Sequence, residues 1–275
     1  MNIRAERLYK KFPKVWALNN IDFSISTDNL ALIGPNGSGK TTLLSIIAGL
    51  RRPSAGRLEI DGIEPYRDRE AAFNDFSYLF EKPKIPLRVR VRELIGILKE
   101  EENASEVERL CKELGIESFQ GQRIGNLSSG QAQLCGLLVA MSSTRKLLIL
   151  DEPFVHLDAY RATIVLENLS KRRGLIIATH SPEEAEAVSD HFVIMNEGKI
   201  MWCGNHDDLY HEGVFEVFLK AAELPEDTIL VSKFGRSALV KSSEERLMSL
   251  YAEGRINGFR KAGLRHVYAK NYPRV

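Results

Sequence analysis

Four short stretches carry residue types that could act on a phosphate chain. The first is Gly34-Pro35-Asn36-Gly37-Ser38-Gly39-Lys40-Thr41, followed by Thr42, which reads G-x-x-x-x-G-K-[ST] between an apolar run and an amphipathic stretch. Glycine at 34, 37 and 39 lets successive N–H groups face inward, and the following helix points its positive end at the same spot. Lys40 would reach the β- and γ-phosphates, and the Thr41 hydroxyl would ligate Mg²⁺. The second stretch is Asp151-Glu152, directly after an apolar strand, where a carboxylate is costly unless something positive faces it. Elsewhere such a pair reads as a turn or helix cap. Beside a phosphate loop, Asp151 reads as a partner for the Mg²⁺ also held by Thr41. Glu152, pointing the other way along an extended backbone, could polarise a water for in-line attack. The third is His180, which closes a strand expected beside the Asp151 strand and could hydrogen-bond the γ-phosphate; alone it would be an incidental polar residue. The fourth, Ser128-Ser129-Gly130-Gln131, is by itself an N-cap, but a serine hydroxyl and glycine N–H groups at a helix start form a second anion cradle. Two cradles in one chain suggest two chains sharing nucleotides.

The surrounding pattern supplies the scaffold. Residues 1 to 33 alternate as β-structure over Ala5–Tyr9, Trp16–Leu18 and Ile21–Ile25, then turn continuously apolar over Leu30–Ile33, as a strand covered on both faces would. Arg57–Ile60 with Asp61-Gly62 suggests a hairpin strand and its turn, and Phe76–Phe80 another strand. From Glu81 the texture becomes helical, over Val91–Lys99, Ala104–Leu114 and the apolar Leu134–Met141. Strands at Lys146–Leu150, Leu175–Thr179 and His191–Met195 alternate with helices at Tyr160–Leu169 and Pro182–Val188. That alternation predicts a mostly parallel sheet with crossover helices and ligands beyond the carboxyl ends of the strands. Thr228–Lys233, Ser237–Lys241 and Leu264–Lys270 read as strands and Ser243–Glu253 as a helix, a small α+β appendage of βαβ-like order.

The 275 residues carry 38 basic and 37 acidic side chains, a net charge of +1 that gives no support for nucleic acid as the main ligand. Arg260, Lys261, Arg265, Lys270 and Arg274 follow one another without an acidic residue, and a solvated face is their plainer explanation. Cys111, Cys135 and Cys203 are too few and too scattered for a disulfide or metal framework. The amino terminus lacks the apolar stretch of a secretory signal, and the longest apolar runs fall short of the ~18 residues of a membrane span. Any membrane role is therefore expected to be borrowed from another chain.

Taken together, Gly34–Thr41, Leu127–Gln131, Leu147–Pro153, Leu157-Asp158 and Thr179-His180 resemble an ATP-binding cassette ATPase over residues 1 to about 215. The resemblance implies an α/β P-loop NTPase core with a mostly parallel sheet, an amino-terminal antiparallel β subdomain, and an inserted helical subdomain over about 81–135. A separate extension, over 216–275, is similar to those of some exporter-type cassette subunits. Lys40 and Thr41 match the Walker A lysine and Mg²⁺ ligand, Asp151 the Walker B aspartate, Glu152 the catalytic base and His180 the switch histidine. Phe12 matches the aromatic residue stacked on adenine, and Asp158 the residue whose loop crosses toward the partner. Ser128 and Gly130, with Ser129 and Gln131, match the signature that contacts the γ-phosphate bound by the opposite subunit. Three positions depart from the pattern: Glu81 stands for the usual glutamine and can still ligate Mg²⁺ or its water, Ser129 for a glycine, and His156 for a small residue. The implied activity is ATP hydrolysis with Mg²⁺ by a head-to-tail dimer, homo- or heteromeric, on the cytoplasmic face of the membrane. It would drive an integral membrane permease on a separate chain, with no direct nucleic-acid binding. A soluble cassette acting on a ribosome, nucleic acid or assembly complex is the alternative.

Overall fold

The computed structural model describes residues 1–209, 213–220 and 228–271 and separates into two compact units, Met1–Cys203 and Gly204–Val275. Arg274 lies outside the described residues, as does Tyr210. The first unit opens with β1 (Asn2–Phe12), β2 (Val15–Ser26) and β3 (Asn29–Ile33), and then the glycine loop enters α1 (Lys40–Ile47). Next come β4 (Ala55–Ile60), α2 (Arg69–Asp75) and β5 (Phe76–Leu79), then the helical stretch α3 (Val91–Glu101), α4 (Ala104–Glu113) and α5 (Ser129–Met141). β6 (Leu147–Asp151), α6 (Ala159–Ser170), β7 (Leu175–Thr179), α7 (Pro182–Val188), β8 (His191–Asn196) and β9 (Lys199–Asn205) complete the core.

Two sheets organise this unit. β2, β1 and β4 form an antiparallel sheet in that order, and β5-β6-β7-β3-β8-β9 form the second. Neighbours from β5 to β8 run parallel. Glu197 and Gly198, with φ of 46° and 73°, make the two-residue turn between β8 and β9; positive φ at both positions is the twist-matched hairpin geometry. The strand order decides where chemistry can occur. β5, β6, β7 and β3 are consecutive neighbours, so their carboxyl ends deliver Glu81, Asp151-Glu152, His180 and the glycine loop to one edge. All five residues of β3, β6 and β7 are buried, in keeping with strands covered on both faces.

The second unit contains α8 (His206–Leu209), β10 (Val214–Leu219), β11 (Ile229–Phe234), β12 (Ser237–Lys241), α9 (Glu244–Ala252), β13 (Ile256–Lys261) and α10 (Leu264–Asn271). Its sheet, in the order β11-β12-β10-β13, is antiparallel. Phe215, Val217 and Leu219 on one face of β10 pack with Ala238, Val240, Leu247 and Leu250. On the other face Glu216, buried, accepts from Arg260 and Arg265.

Several local expectations change. The division expected at 215/216 falls inside β10, which belongs wholly to the sheet β11-β12-β10-β13, and the second unit begins instead at Gly204. Leu264–Lys270 is helical rather than extended; Leu264 and Val267, three residues apart, are both buried, a spacing that the period-two pattern masked. β10 and β13 add two strands to the expected ones, and all four pair antiparallel, so the appendage is an antiparallel sheet with helices rather than a βαβ unit. Trp16–Leu18 and Ile21–Ile25 form one strand, in which Asn20 takes a left-handed φ of 57°. The Asp61-Gly62 turn forms, but β4 pairs back onto β1, and only the Ile60–Ile63 bridge closes the turn. Cys111 and Cys135 are buried, with thiols pushed up to about 11 and about 12 by burial, and so stay protonated near neutral pH.

Leu32, the fourth of the five residues of β3 and 0 % exposed, tests the load on this sheet. Leu32→Ala is expected to lower unfolding stability by about 2–5 kcal/mol in urea titrations, whereas Leu87→Ala should change it by no more than ~0.5 kcal/mol. Leu87 is 69 % exposed.

Candidate functional site

The glycine loop is shaped by positions that admit no side chain. A Cβ on Gly34 would stand 2.4 Å from the Met195 carbonyl oxygen, and one on Gly39 would stand 2.5 Å from that of Ala17. Gly37 and Gly39 also hold left-handed φ of 82° and 105°. Lys40 folds back under the loop: its Nζ donates to the carbonyl oxygens of Gly34 at 2.7 Å and Pro35 at 3.3 Å, and lies 3.2 Å from Glu152 Oε1. Lys40 and Glu152 side chains are 6 % and 9 % exposed, so this ion pair is shielded and its attraction little screened. Asn36 and Gly37 are exposed and Thr42 is half-buried in the first turn of α1.

Glu152 is the hub. Its second carboxylate oxygen lies 2.9 Å from His180 Nδ1, and its backbone N–H donates to Ala178 O at 2.9 Å. The backbone at Glu152 is left-handed, with φ of 48°, rather than extended as expected. Gln133 on α5 accounts for this geometry, since its side-chain amide donates to the carbonyl oxygens of both Glu152 (3.4 Å) and Pro153 (3.0 Å). Gln133 is 1 % exposed, and its sequence signal is an amide, two residues after Gln131, at the head of an apolar helix.

Asp151 turns to the opposite partner. Its Oδ1 accepts the Thr41 hydroxyl at 3.1 Å, and Thr41 O accepts the Ser45 hydroxyl at 2.6 Å. Burial pushes the Asp151 carboxyl up to about 6; the Thr41 bond opposes the shift, and the neighbouring charges of Glu152 and Glu81 add to it. A Mg²⁺ ion fits these donors. Thr41 Oγ1 and Asp151 Oδ1 are hard oxygens within one coordination shell's reach, the buried carboxylate forms no ion pair among the described residues although the Lys40 charge acts on it, and the Ser38 hydroxyl is buried without a hydrogen-bond partner there. Glu81, exposed past the end of β5, acts on Asp151 through its charge.

The remaining expected residues serve elsewhere in the fold. Ser128 caps α5: its hydroxyl accepts Gln131 N–H at 3.3 Å, and Gln131 Oε1 accepts Ser128 N–H at 3.0 Å. Ser129 and Gly130 form the first turn, where a Cβ on Gly130 would come 2.8 Å from His156 O. His156 has a φ of 66°, a left-handed position for which histidine is among the less disfavoured residues. Asp158 caps α6 through Arg161 N–H at 2.9 Å and pairs with its guanidinium at 2.6 Å. Phe12 ends β1, half-buried, with Arg51 at 5.0 Å and Lys10 Nζ at 5.4 Å from its ring centroid. Thus Lys40, Thr41, Asp151, Glu152 and His180 meet through direct contacts, whereas Ser128–Gln131 and Asp158 are engaged in capping their own helices.

A model of the ABC transporter family matches residues 18–155, from within β2 to the turn beyond Glu152. The chain belongs to the ABC transporter family. Similar proteins include a sulfate/thiosulfate import ATP-binding protein of Mesorhizobium japonicum, 33 % identical over 226 residues that cover 76 % of this chain and 65 % of that one. An Fe(3+) ions import ATP-binding protein of Photorhabdus laumondii is 31 % identical, covering 78 % of this chain and 64 % of its own length. A spermidine/putrescine import ATP-binding protein of Nitratidesulfovibrio vulgaris is 32 % identical, with shares of 76 % and 60 %. The chain therefore spans somewhat less than two thirds of the length of these relatives. Among solved structures, an ATP-binding subunit of an ABC transporter superposes with a TM-score of 0.65 at 27 % identity, over 76 % of this chain and 91 % of that one. A dimeric ATP-binding cassette with ADP and phosphate shares the fold at 22 % identity, with a TM-score of 0.64 over 74 % and 98 % of the two chains. The cassette fold accounts for the parallel sheet, the antiparallel subdomain and the order of the motifs.

The Asp151 carboxyl gives this cassette a pH signature. A raised folded-state pKa means that ionisation opposes folding, so the cost is present above about 6 and disappears as pH falls through 6 towards the ordinary value of 3.8. In chelator-treated protein, Asp151→Asn is expected to raise the melting temperature at pH 7.5, by a stabilisation on the order of 2 kcal/mol, and to lose that advantage near pH 4. Equal melting curves at pH 7.5 would show that the carboxylate is not held at a cost.

Proposed function

We propose that this chain is the ATP-hydrolysing subunit of an ABC transporter, working as one of two cassettes beneath a membrane permease carried on a separate chain. The observation that carries this reading is the buried Lys40–Glu152 pair with the exposed His180 ring against it, beyond the ends of three neighbouring strands and beside the Thr41–Asp151 pair. ATP lies with its phosphates on the loop N–H groups of residues 34–41 and its base against Phe12. Lys40 exchanges its loop carbonyls for the β- and γ-phosphate oxygens, which leaves Glu152 free to accept a proton from the attacking water. His180, already in contact with Glu152 Oε2, orients that carboxylate and reaches the γ-phosphate through its other ring nitrogen. Thr41 and Asp151, with Glu81 at the rim, would hold Mg²⁺, which when bound would neutralise charge on the phosphate oxygens.

The capped start of α5 at Ser128–Gln131 serves the nucleotide of a second cassette, which explains why it is engaged in no contact with Lys40 or Glu152 in its own chain. Closure of the pair on ATP supplies the difference in affinity that does mechanical work, passed on through the segment from Glu81 to Arg92. No helix among the described residues is long and apolar enough to cross a membrane, in keeping with a permease on another chain and a position at its cytoplasmic face. The relatives named above are import proteins for different solutes, and none acts on a ribosome or nucleic acid by name.

Glu152→Gln is expected to lower ATP turnover by about 10²–10⁴-fold and to make an ATP-dependent dimer persist in size-exclusion chromatography. Turnover equal to the wild type would remove Glu152 from the role of base. Ser128→Arg should abolish turnover while leaving equilibrium ATP binding to the single chain within about threefold, because the altered residue serves the opposite site. A mixture of Ser128→Arg and Lys40→Ala chains should regain one working site per dimer, and failure of that complementation in a dimer that still assembles would argue against shared sites.

A further inference from the structure

The turn that carries His180 is governed by a carboxylate to which the nucleotide chemistry assigns no task. Ser181 caps α7, its hydroxyl accepting the Glu184 N–H at 3.2 Å. In an ordinary capping box the third-residue glutamate would accept the cap residue's own N–H in return. Here the Ser181 N–H donates to Thr179 Oγ1 at 3.1 Å, and the Thr179 hydroxyl donates to Glu184 Oε2 at 2.5 Å. One hydroxyl has been inserted into the box. Thr179 is the last residue of β7 and 0 % exposed, so its hydroxyl is withheld from water.

These three hydrogen bonds run from residue 179 to 181 to 184 and enclose His180. The imidazole itself is 59 % exposed, so packing constrains it little, yet its Nδ1 stands 2.9 Å from Glu152 Oε2. What fixes the ring is the backbone on either side of it. Burial raises the Glu184 carboxyl, while the Thr179 bond and the charge of His180 draw it back down; Glu152 and Glu183 are the other charges acting on it. A cap alone would not need a threonine between its two partners, because glutamate could take the Ser181 N–H directly. The inserted hydroxyl makes sense where the end of the strand, and hence the origin of the next side chain, has to be held.

We propose that Glu184 is a positioning residue for the hydrolysis described above, acting through the Thr179 hydroxyl to set His180 against Glu152. The proposal rests on that ATPase function, and its test has one measurement that does not. Glu184→Leu, which removes the acceptor, is expected to lower kcat by about tenfold while KM for ATP changes less than about twofold, since misplacing a reacting group costs rate rather than ground-state binding. Glu184→Gln keeps an acceptor for the Thr179 hydroxyl and should retain at least about half of the wild-type kcat. Thr179→Val should reproduce the loss, and the double variant should be no worse than Thr179→Val alone.

The second measurement is the ¹⁵N resonance of the His180 imidazole in the full chain, assigned with His180→Ala. It should move in Glu184→Leu and Thr179→Val and stay in place in Glu184→Gln. A Glu184→Leu protein with a lower melting temperature but unchanged kcat and unchanged His180 resonances would reduce Glu184 to a helix cap and overturn the proposal. Equal losses in the Gln and Leu variants would overturn it as well, because the charge and not the Thr179 bond would then matter. If the wild type hydrolyses no ATP, the ATPase reading fails, and the ring resonances still decide whether Glu184 sets His180.

Discussion

The shielded contact between Lys40 and Glu152 is the constraint on which the site depends. An ammonium and a carboxylate that are both nearly inaccessible to water attract strongly, and each would be costly to strand alone. Their meeting requires that β3 and β6 end at the same level with only β7 between them, which the order β6-β7-β3 provides. The intervening strand supplies His180, so Glu152, Lys40 and His180 are brought together by three strand ends and not by any one loop. Changes in sheet register would therefore reach the chemistry directly, since a shift of one residue sends a strand's side chains to the opposite face.

Two carboxylates one residue apart behave differently because their surroundings differ. Glu152 has a lysine and a histidine, one for each oxygen. Asp151 has the Thr41 hydroxyl, two like charges and the opposing charge of Lys40, and burial outweighs what favours its ionised form. The left-handed backbone at Glu152 makes the separation possible, turning the two side chains towards different partners from adjacent positions. Such a conformation costs on the order of 1 kcal/mol or more, and persists because the Gln133 amide and the Ala178 carbonyl both hold the peptide in place.

Much of this was legible in the sequence, for local reasons. The glycine loop, the apolar strands and the residues immediately after them are encoded in contiguous stretches, so Lys40, Thr41, Asp151, Glu152 and His180 could be named as one group from strand ends alone. What contiguous patterns cannot encode is the partner of each side chain. Gln133 lies 19 residues before the carbonyl it holds, and the lysine's grip on Gly34 and Pro35 depends on three-dimensional turn geometry. The carboxyl-terminal unit is less legible. Leu264 and Val267 mark a helix, but Val267 and Tyr268 carry strand preference, and β10 and β13 pair with strands distant in sequence whose apolar alternation is short.

The grip of Gln133 on two successive carbonyls joins α5 to the peptide of Glu152. That helix begins at Ser129, capped by Ser128, and Gln133 lies little more than one turn inside it. Any tilt or axial slip of α5 would strain bonds that end on the carboxylate's own backbone. A short lever thus runs from the head of this helix to the oxygen atoms beside Lys40, and whatever presses on one end is felt at the other without any loop having to carry the message.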